Sequence, residues 1–342
     1  MPDALRVGLV GWGLAGRYFH GPFLQTNPHF DLRYVVTSRQ PEPNIYPQLK
    51  RLATLDDLLA QEDTDLVVIA TPHHLHEPQA RAALRAGRHV LVEKPAAPSV
   101  AAWHALQAEA NRAGREVFVF QNRRWDADFL TVQHVIQSGM LGPVYHLENR
   151  WPYYRPSADT RAPWKADAAQ WGGVLYDLMP HLIDQALALF GPPQWVSAQM
   201  ATLHPQRGVT DFVRATFSYD GGWSVLLEVD SLNADLPPRF QVRGLGGTFT
   251  QRAGDGQEAR LRAGELPDQP GWGRIEGGLL RTPTQQQRIA AQAGNYHNFY
   301  TALYDAIING AAPPIAGDDI TWQLNIIAAI QRSAEKQAIE KM

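Results

Sequence analysis

The sequence predicts two domains in series: an α/β Rossmann domain built on a doubly wound parallel sheet, then an α+β domain with an open, mostly antiparallel sheet. Three observations carry the prediction. A glycine-rich turn, Gly11-Trp12-Gly13-Leu14-Ala15-Gly16, follows an apolar run near the amino terminus. Short apolar runs then alternate with helical patterns as far as residue 120, which is how a parallel sheet with crossover helices reads. Beyond Gln121 the pattern changes to runs of alternating polarity joined by glycine turns, as in antiparallel sheets. We place the boundary between 122 and 123, giving domains 1–122 and 123–342, with the C-terminal helix expected to pack back on the first.

Length and composition agree with this division. At 342 residues, 44% of them hydrophobic, the chain exceeds the size at which one core stops growing. A net charge of -3 and the lack of a long basic run leave no electrostatic footprint for nucleic acid. There are no cysteines, which excludes disulfides and thiolate metal sites. Met1-Pro2-Asp3 leads into a strand within a few residues, leaving no room for a signal peptide, and no apolar run reaches spanning length. The expectation is a cytoplasmic protein with neither a membrane nor a nucleic-acid partner.

Taken in order, Leu5 to Val10 reads as a buried strand and Arg17 to Gln25 as a helix, with the glycine turn between them. That context is what a dinucleotide fingerprint needs. Its glycines let the backbone turn, approach a pyrophosphate and pack helix on strand, while the helix start receives the charge. The second strand, from Asp31, ends at Thr37-Ser38-Arg39, where an NAD site would place an acid against the ribose hydroxyl. Ser38 and Arg39 instead suit a 2′-phosphate, so NADP(H) is favoured, with NAD(H) the alternative.

A helix near 55 to 61 and a strand over 66 to 70 follow, running into Thr71-Pro72-His73-His74-Leu75-His76. Three histidines in four residues invite a zinc reading, but adjacent side chains point apart and no further ligands lie nearby; we assign no metal. Thr71, Pro72, His73 and His76 are read as a strand-end turn walling the cofactor. The helix 77 to 87 closes on Gly87, and the strand from His89 ends at Glu93-Lys94-Pro95. A lysine at the end of a buried strand must be compensated or lose its charge, and ligands of such sheets bind at that edge. Lys94 is therefore the leading candidate for chemistry. Glu93 and Asn122, also at strand ends, join the cofactor set. Helix 99 to 113 and strand 116 to 120 complete the first domain.

In the second domain a helix over 126 to 138 precedes strands at 144–151, 196–202, 212–219 and 223–229, with Asp220-Gly221-Gly222 as a hairpin turn. Gly244 to Gly247 joins two more. Residues 252–283 read as loop with one short strand, and helices are expected near 285–309 and 318–341. Between the strands, Asp177, His181 and Asp184 stand at i, i+4 and i+7, one helical face if the segment is helical throughout. An imidazole beside a carboxylate is a proton-transfer unit, though metal binding or a satisfied core histidine would use the same residues. Trp125, Tyr153, Arg155 and Trp164 offer flat faces and donors suited to a polyhydroxylated substrate.

Together, Gly11 to Gly16, Thr71-Pro72 with His76, Ala86 to Pro95, and Gly172-Gly173 through Asp177, His181 and Asp184 resemble the Gfo/Idh/MocA oxidoreductase family in order and rough spacing. Gly13 to His20 with Pro22, Thr37-Ser38-Arg39 and Asn122 to Asp126 resemble its branch of NADP-dependent scyllo-inositol dehydrogenases. The resemblance implies substrate lying between the domains, with Lys94, Asp177 and His181 around the carbon that exchanges hydride. Two departures stand out: His73 where the family often has Asn, and Met179 where it often has Gly. The implied activity is reversible oxidation of a secondary alcohol of a sugar, inositol or polyol. A dinucleotide-binding sensor without turnover and a redox-assisted glycoside-cleaving enzyme remain as alternatives. The free face of the second sheet calls for covering, so a homodimer or homotetramer is expected.

Overall fold

The computed structural model describes residues 4–155, 163–204, 208–267 and 269–342; Met1-Pro2-Asp3, on which the signal-peptide expectation rests, lie outside them. The chain forms two compact units, each discontinuous in sequence. The first gathers residues 1–122, 257–272 and 295–320, the second 123–256, 273–294 and 321–342.

The first unit is a six-stranded parallel sheet. Its strands are β1 (Leu5–Val10), β2 (Phe30–Val36), β3 (Lys50–Leu52), β4 (Leu66–Ile69), β5 (His89–Glu93) and β6 (Val117–Phe120), in the order β3-β2-β1-β4-β5-β6. The inner strands read as continuous apolar runs because helices cover both faces. Val7, Leu9, Val67, Val68, Ile69, Val90, Leu91 and Val92 are without exposed surface. Helix ends follow local chemistry. Ser99 caps Val100–Ala113 by accepting from the Ala102 amide, and Gly114 closes it with φ of 61°.

The sequence reading gave this unit residues 1–122 alone and expected the last helix to return to it. The structure differs. The element that returns is the helix His297–Asn309, because its aromatic side pairs with rings of the first 122 residues: Tyr300 stacks on Phe23 at 5.4 Å and Phe299 meets Phe120 edge-on at 4.9 Å. Of the last helix, Gly317–Lys336, the first turn stays with this unit, where Trp103 Nε1 donates to the Gly317 carbonyl at 3.2 Å, while Ile326, Ile327 and Ile330 are buried in the second core.

The second unit is a nine-stranded sheet. It comprises β7 (Val144–Pro152), β8 (Trp195–Ala201), β9 (Phe212–Ser218), β10 (Ser224–Asp230), β11 (Phe240–Gly244), β12 (Gly247–Gln251), β13 (Gly278–Arg281), β14 (Gln286–Ile289) and β15 (Glu340–Lys341). Their order is β14-β13-β12-β11-β7-β10-β9-β8-β15, with β7 and β10 parallel and every other pair antiparallel. Gly221 and Gly222, with φ of 82° and 80°, make the β9–β10 hairpin turn that only glycine adopts cheaply. Helices Ala127–Gln137, Met179–Phe190 and the last one pack on one sheet face.

Two stretches depart from expectation. Gln286–Ile289 is an edge strand paired with β13 rather than helix, and only Ile289 in it is buried, so no alternation marks it. Gln257–Arg262, read as loop, is a short helix held by buried Gln257 and Leu261.

Candidate active site

The carboxyl edge of the first sheet carries the glycine turn. Gly11 has φ of 101°, and a Cβ there would lie 2.5 Å from the Ala70 carbonyl oxygen; a Cβ on Gly16 would fall on the Gly11 carbonyl. Both positions therefore require glycine for close packing. Gly13 has nothing within 4 Å, so the turn is open on the side where a pyrophosphate would approach. The turn Ala15–His20 that follows has no side-chain cap and no acid in its first turn, so no side chain competes with an anion at its start.

Three buried polar atoms on this edge have no hydrogen-bond partner among the described residues: Nε1 of Trp12 after β1, Nδ1 of His74 after β4 and Nδ2 of Asn122 after β6. Buried donors are normally satisfied, so a cluster of orphans around one edge fits a bound polar ligand. At the end of β2, Arg39 is exposed; its amide donates to Thr37 Oγ1 at 3.0 Å and its Nη1 reaches the Trp12 carbonyl at 3.4 Å. Ser38 is exposed beside it. These residues fit a dinucleotide.

Lys94 follows β5 and is only 7% exposed. Its backbone amide donates to Glu93 Oε2 at 3.3 Å. Burial raises the Glu93 pKa, but the His20 hydrogen bond and the charges of His20, Lys94 and His76 outweigh it and hold the carboxyl below the ordinary range. His76 stands at the start of the helix His76–Arg85. It has no exposed surface, and its ring nitrogens lie 2.8 Å from the carbonyl oxygens of Pro95 and Thr71. It ties the loop after β4 to the loop after β5. Burial pulls its pKa below the usual histidine value despite those carbonyls. His73 is buried against it, ring to ring at 5.6 Å, while Thr71 and Pro72 stay half-exposed.

In the second unit, Gly172 and Gly173 bring the 165–167 loop and residue 210 against the start of the helical segment. A Cβ on Gly172 would lie 2.5 Å from the Lys165 carbonyl oxygen, and Gly173, with φ of 91°, donates its amide to that oxygen. The segment is not one helix. It runs Val174–Asp177, bends at Leu178 and resumes as Met179–Phe190. Pro180 has no amide hydrogen to give Tyr176, so the ladder breaks there. Asp177, His181 and Asp184 therefore do not share the continuous face drawn from their spacing.

Each carboxylate has its own cationic partner. Lys165 Nζ donates to both Asp177 oxygens at 2.9 and 2.8 Å, and Arg124 clamps Asp184 in a fork at 2.9 and 2.7 Å. His181 is buried and lies on Trp151, ring centroids 5.9 Å apart. Trp151 in turn lies under Arg123 and Arg239, at 5.1 and 4.9 Å. Arg239 meets Asp128 at 3.2 Å, donates to Arg150 O at 2.8 Å and bonds to Asn149 Oδ1. Burial drives Asp128 up and Arg239 down, each only partly offset by the other's charge.

Tyr153 and Arg155 pair their amides with Asp230 and Ser231, and Arg155 lies over the Tyr153 ring at 5.5 Å. Trp164 stands under Lys165 at 5.5 Å, and Trp125 is half-buried. Sequence reasoning missed Trp151, Lys165 as the partner of Asp177, and the pair His20 and Tyr300, whose Nδ1 and Oη lie 3.0 Å apart. The fixed spacing of His20 from the glycine turn was the only signal for any of them. Among the described residues, no group of three or more histidines and carboxylates is arranged to hold a metal, and no helix is long and apolar enough to cross a membrane.

Comparison with known proteins adds identity to this geometry. Residues 5–121 match the family described as "Oxidoreductase family, NAD-binding Rossmann fold", and residues 129–250 match the "GFO/IDH/MocA C-terminal domain". The chain is 34% identical over 344 residues to the uncharacterized oxidoreductase YdgJ of Escherichia coli, covering 99% of each. It is 32% identical over 350 residues to the scyllo-inositol 2-dehydrogenase (NADP(+)) IolW of Bacillus subtilis, covering 98% of this chain and 96% of that one. Among solved structures, the oxidoreductase yvaA of Bacillus subtilis superposes with a TM-score of 0.94 at 30% identity, covering 100% of this chain and 99% of that one.

Proposed function

The chain belongs to the GFO/IDH/MocA oxidoreductase family, with an NAD-binding Rossmann fold, and from that premise we propose that it is an NADP-preferring dehydrogenase of a sugar, inositol or polyol ring. The reaction is reversible oxidation of a secondary alcohol to a ketone or lactone. The observation that carries the reading is Lys94, nearly buried at the sheet edge where such folds bind ligands. Its best use there is to hydrogen-bond a reacting oxygen. The relative named as an NADP-dependent scyllo-inositol dehydrogenase supports the same substrate class.

When bound, the nicotinamide takes or gives the hydride. The chain's own residues handle the proton and the oxygen. His181, its ring plane set by Trp151, is assigned as the base that removes the hydroxyl proton, and Lys94 polarises the oxygen as charge develops on it. Asp177, oriented by Lys165, holds a hydroxyl of the substrate and steers His181. Trp125, Tyr153, Arg155 and Trp164 supply stacking faces and donors for the ring.

Arg39, with Ser38, is assigned to the 2′-phosphate of NADP. The test is a fluorescence titration of NADPH and NADH. Wild type is expected to bind NADPH much the tighter, and Arg39→Ala to weaken NADPH by about tenfold to a hundredfold, the worth of a charge-assisted contact, with NADH little changed. Equal binding of the two nucleotides by wild type would remove the NADP assignment, and binding of neither would remove the oxidoreductase reading.

Self-association belongs to the same proposal. Across the sheet face opposite the core, Arg243 pairs with Glu148 at 2.7 Å, Arg150 joins Glu148 to Glu228, and Arg214 closes on Glu228 at 2.6 Å. An open face with ordered charges suits a second copy of the chain. Light scattering at micromolar concentration is expected to give a dimer or tetramer; a monomer would contradict it.

A further inference from the structure

The edge of the first sheet opposite the glycine turn, where its parallel strands begin, holds a cavity of about 730 Å³ to which the reading above gives no role. The amino ends of β1, β2, β4, β5 and β6 each supply part of its wall, and Ile307 and Ile308 of the helix His297–Asn309 supply an apolar side. Four guanidiniums and two carboxylates line it. Both carboxylates are taken: Arg6 forks Asp65 at 2.8 and 2.5 Å, and Arg33 donates to Asp31 at 2.6 Å. Arg88 and Arg115 have only neutral partners. Arg88 Nη2 donates to the Gln61 carbonyl at 3.0 Å, and Arg115 donates to the carbonyls of Gly87 and Gly114 at 2.6 and 3.3 Å. Among the described residues neither of these two guanidiniums pairs with a carboxylate, and Nη1 of Arg88 and Nη2 of Arg115 have no hydrogen-bond partner.

His89, on the same wall, adds a donor whose place on the ring is fixed. The Glu116 amide donates to its Nδ1 at 3.1 Å, so the lone pair is there and the hydrogen of the neutral ring is on Nε2. That nitrogen has no partner among the described residues. Burial first, then the Arg115 charge, hold the ring below the usual histidine pKa, so at neutral pH it is uncharged and still donates. Ile308 is 41% exposed, which leaves apolar surface beside these donors.

We propose that this cavity binds a small organic phosphate, its phosphoryl group held by Arg88, Arg115 and His89 and its organic part lying on Ile307 and Ile308. Three donor groups match three phosphoryl oxygens, where a carboxylate offers two. Guanidiniums without a carboxylate of their own can turn their forks to such an anion at no cost in broken ion pairs. The site is separate from the dinucleotide edge. β5 starts at His89 and ends at Glu93, so its two ends lie about 13 Å apart. The inference does not depend on the dehydrogenase reading.

The test reads the cavity locally. The chain has 12 histidines, so protein carrying 13C at the histidine ring Cε1 gives a spectrum in which His89 is assigned by His89→Gln and followed while phenyl phosphate is added at constant ionic strength. The His89 signal should move with a Kd on the order of 1 mM, the strength of a few charge-assisted contacts at an open site. Arg115→Gln, at an exposed position, should weaken binding by about tenfold, and adding Arg88→Gln should abolish it. The single variant serves if the double one does not fold. Benzoate, with the same ring and one oxygen fewer, should bind at least several-fold more weakly. A His89 signal that stays still at about 10 mM phenyl phosphate, an unchanged Kd in Arg115→Gln, or benzoate bound as tightly as the phosphate would overturn the proposal. None of these outcomes requires turnover, so they leave the dehydrogenase reading to its own tests.

Discussion

Replacing His181 with glutamine is expected to lower kcat for a ring alcohol by about a hundredfold to ten-thousandfold, the contribution of a positioned proton-transfer group, while NADPH binding stays within about twofold. The expectation follows from where the side chain is held. His181 is buried and lies on the Trp151 ring, so its plane is fixed and little ordering remains at the moment of proton transfer. Lys94→Met should cost a similar factor, because an oxygen that gains charge in a nearly dry site loses its donor. If both act on one oxygen, the double variant will be only slightly slower than the worse single one. A pH profile separates the roles. The base works only when deprotonated, so oxidation falls on the acidic side in wild type, and that limb should flatten in the variant that lacks the base.

Arg239→Met is expected to destabilise the second unit by about 3 to 5 kcal/mol, the cost of leaving one member of a buried ion pair alone. Asp128 is 1% exposed and Arg239 8%, and the guanidinium also bonds to Asn149 and to the Arg150 carbonyl. The double replacement Arg239→Met with Asp128→Leu should recover most of the loss, since two apolar groups leave no charge stranded. The sign with pH can be stated. Burial already holds Asp128 above its ordinary value, so the folded variant binds a proton that the unfolded chain releases. The loss should therefore shrink as the pH falls from neutrality toward the ordinary aspartate range. Urea unfolding followed by tryptophan fluorescence, at neutral and mildly acid pH, reads both effects. A loss that does not change with pH would mean that Asp128 has found another partner.

The first sheet was legible because a strand buried on both faces writes itself as an uninterrupted apolar run, as in Val90-Leu91-Val92, and because glycine at 11 and 16 is required by contacts no other residue permits. The edge strand Gln286–Ile289 was not, since three of its four side chains face water and leave no period to read. The candidate site divides the same way. Lys94 stood out as a charge at the end of an apolar run. Asp177, His181 and Asp184 were noticed by spacing, but spacing assumes an unbroken helix, and Pro180 together with the Lys165 and Arg124 pairs sets a different arrangement. Tyr300 lies 280 positions from His20, and no local pattern encodes a contact of that range.

The aromatic ring contacts that draw the helix His297–Asn309 into the first unit also bear on biosynthesis. Synthesis runs from the amino terminus, so Phe23 and Phe120 emerge long before Phe299 and Tyr300, which cover them. At the roughly 5 to 20 residues per second of translation, the gap is on the order of nine to thirty-six seconds for Phe120 and fourteen to fifty-five for Phe23. Through that interval the nascent parallel sheet presents an uncovered aromatic surface, and the unit translated first is completed only after most of the second has been made. A ribosome stalled short of residue 297 would thus hold a first unit that lacks its aromatic cover.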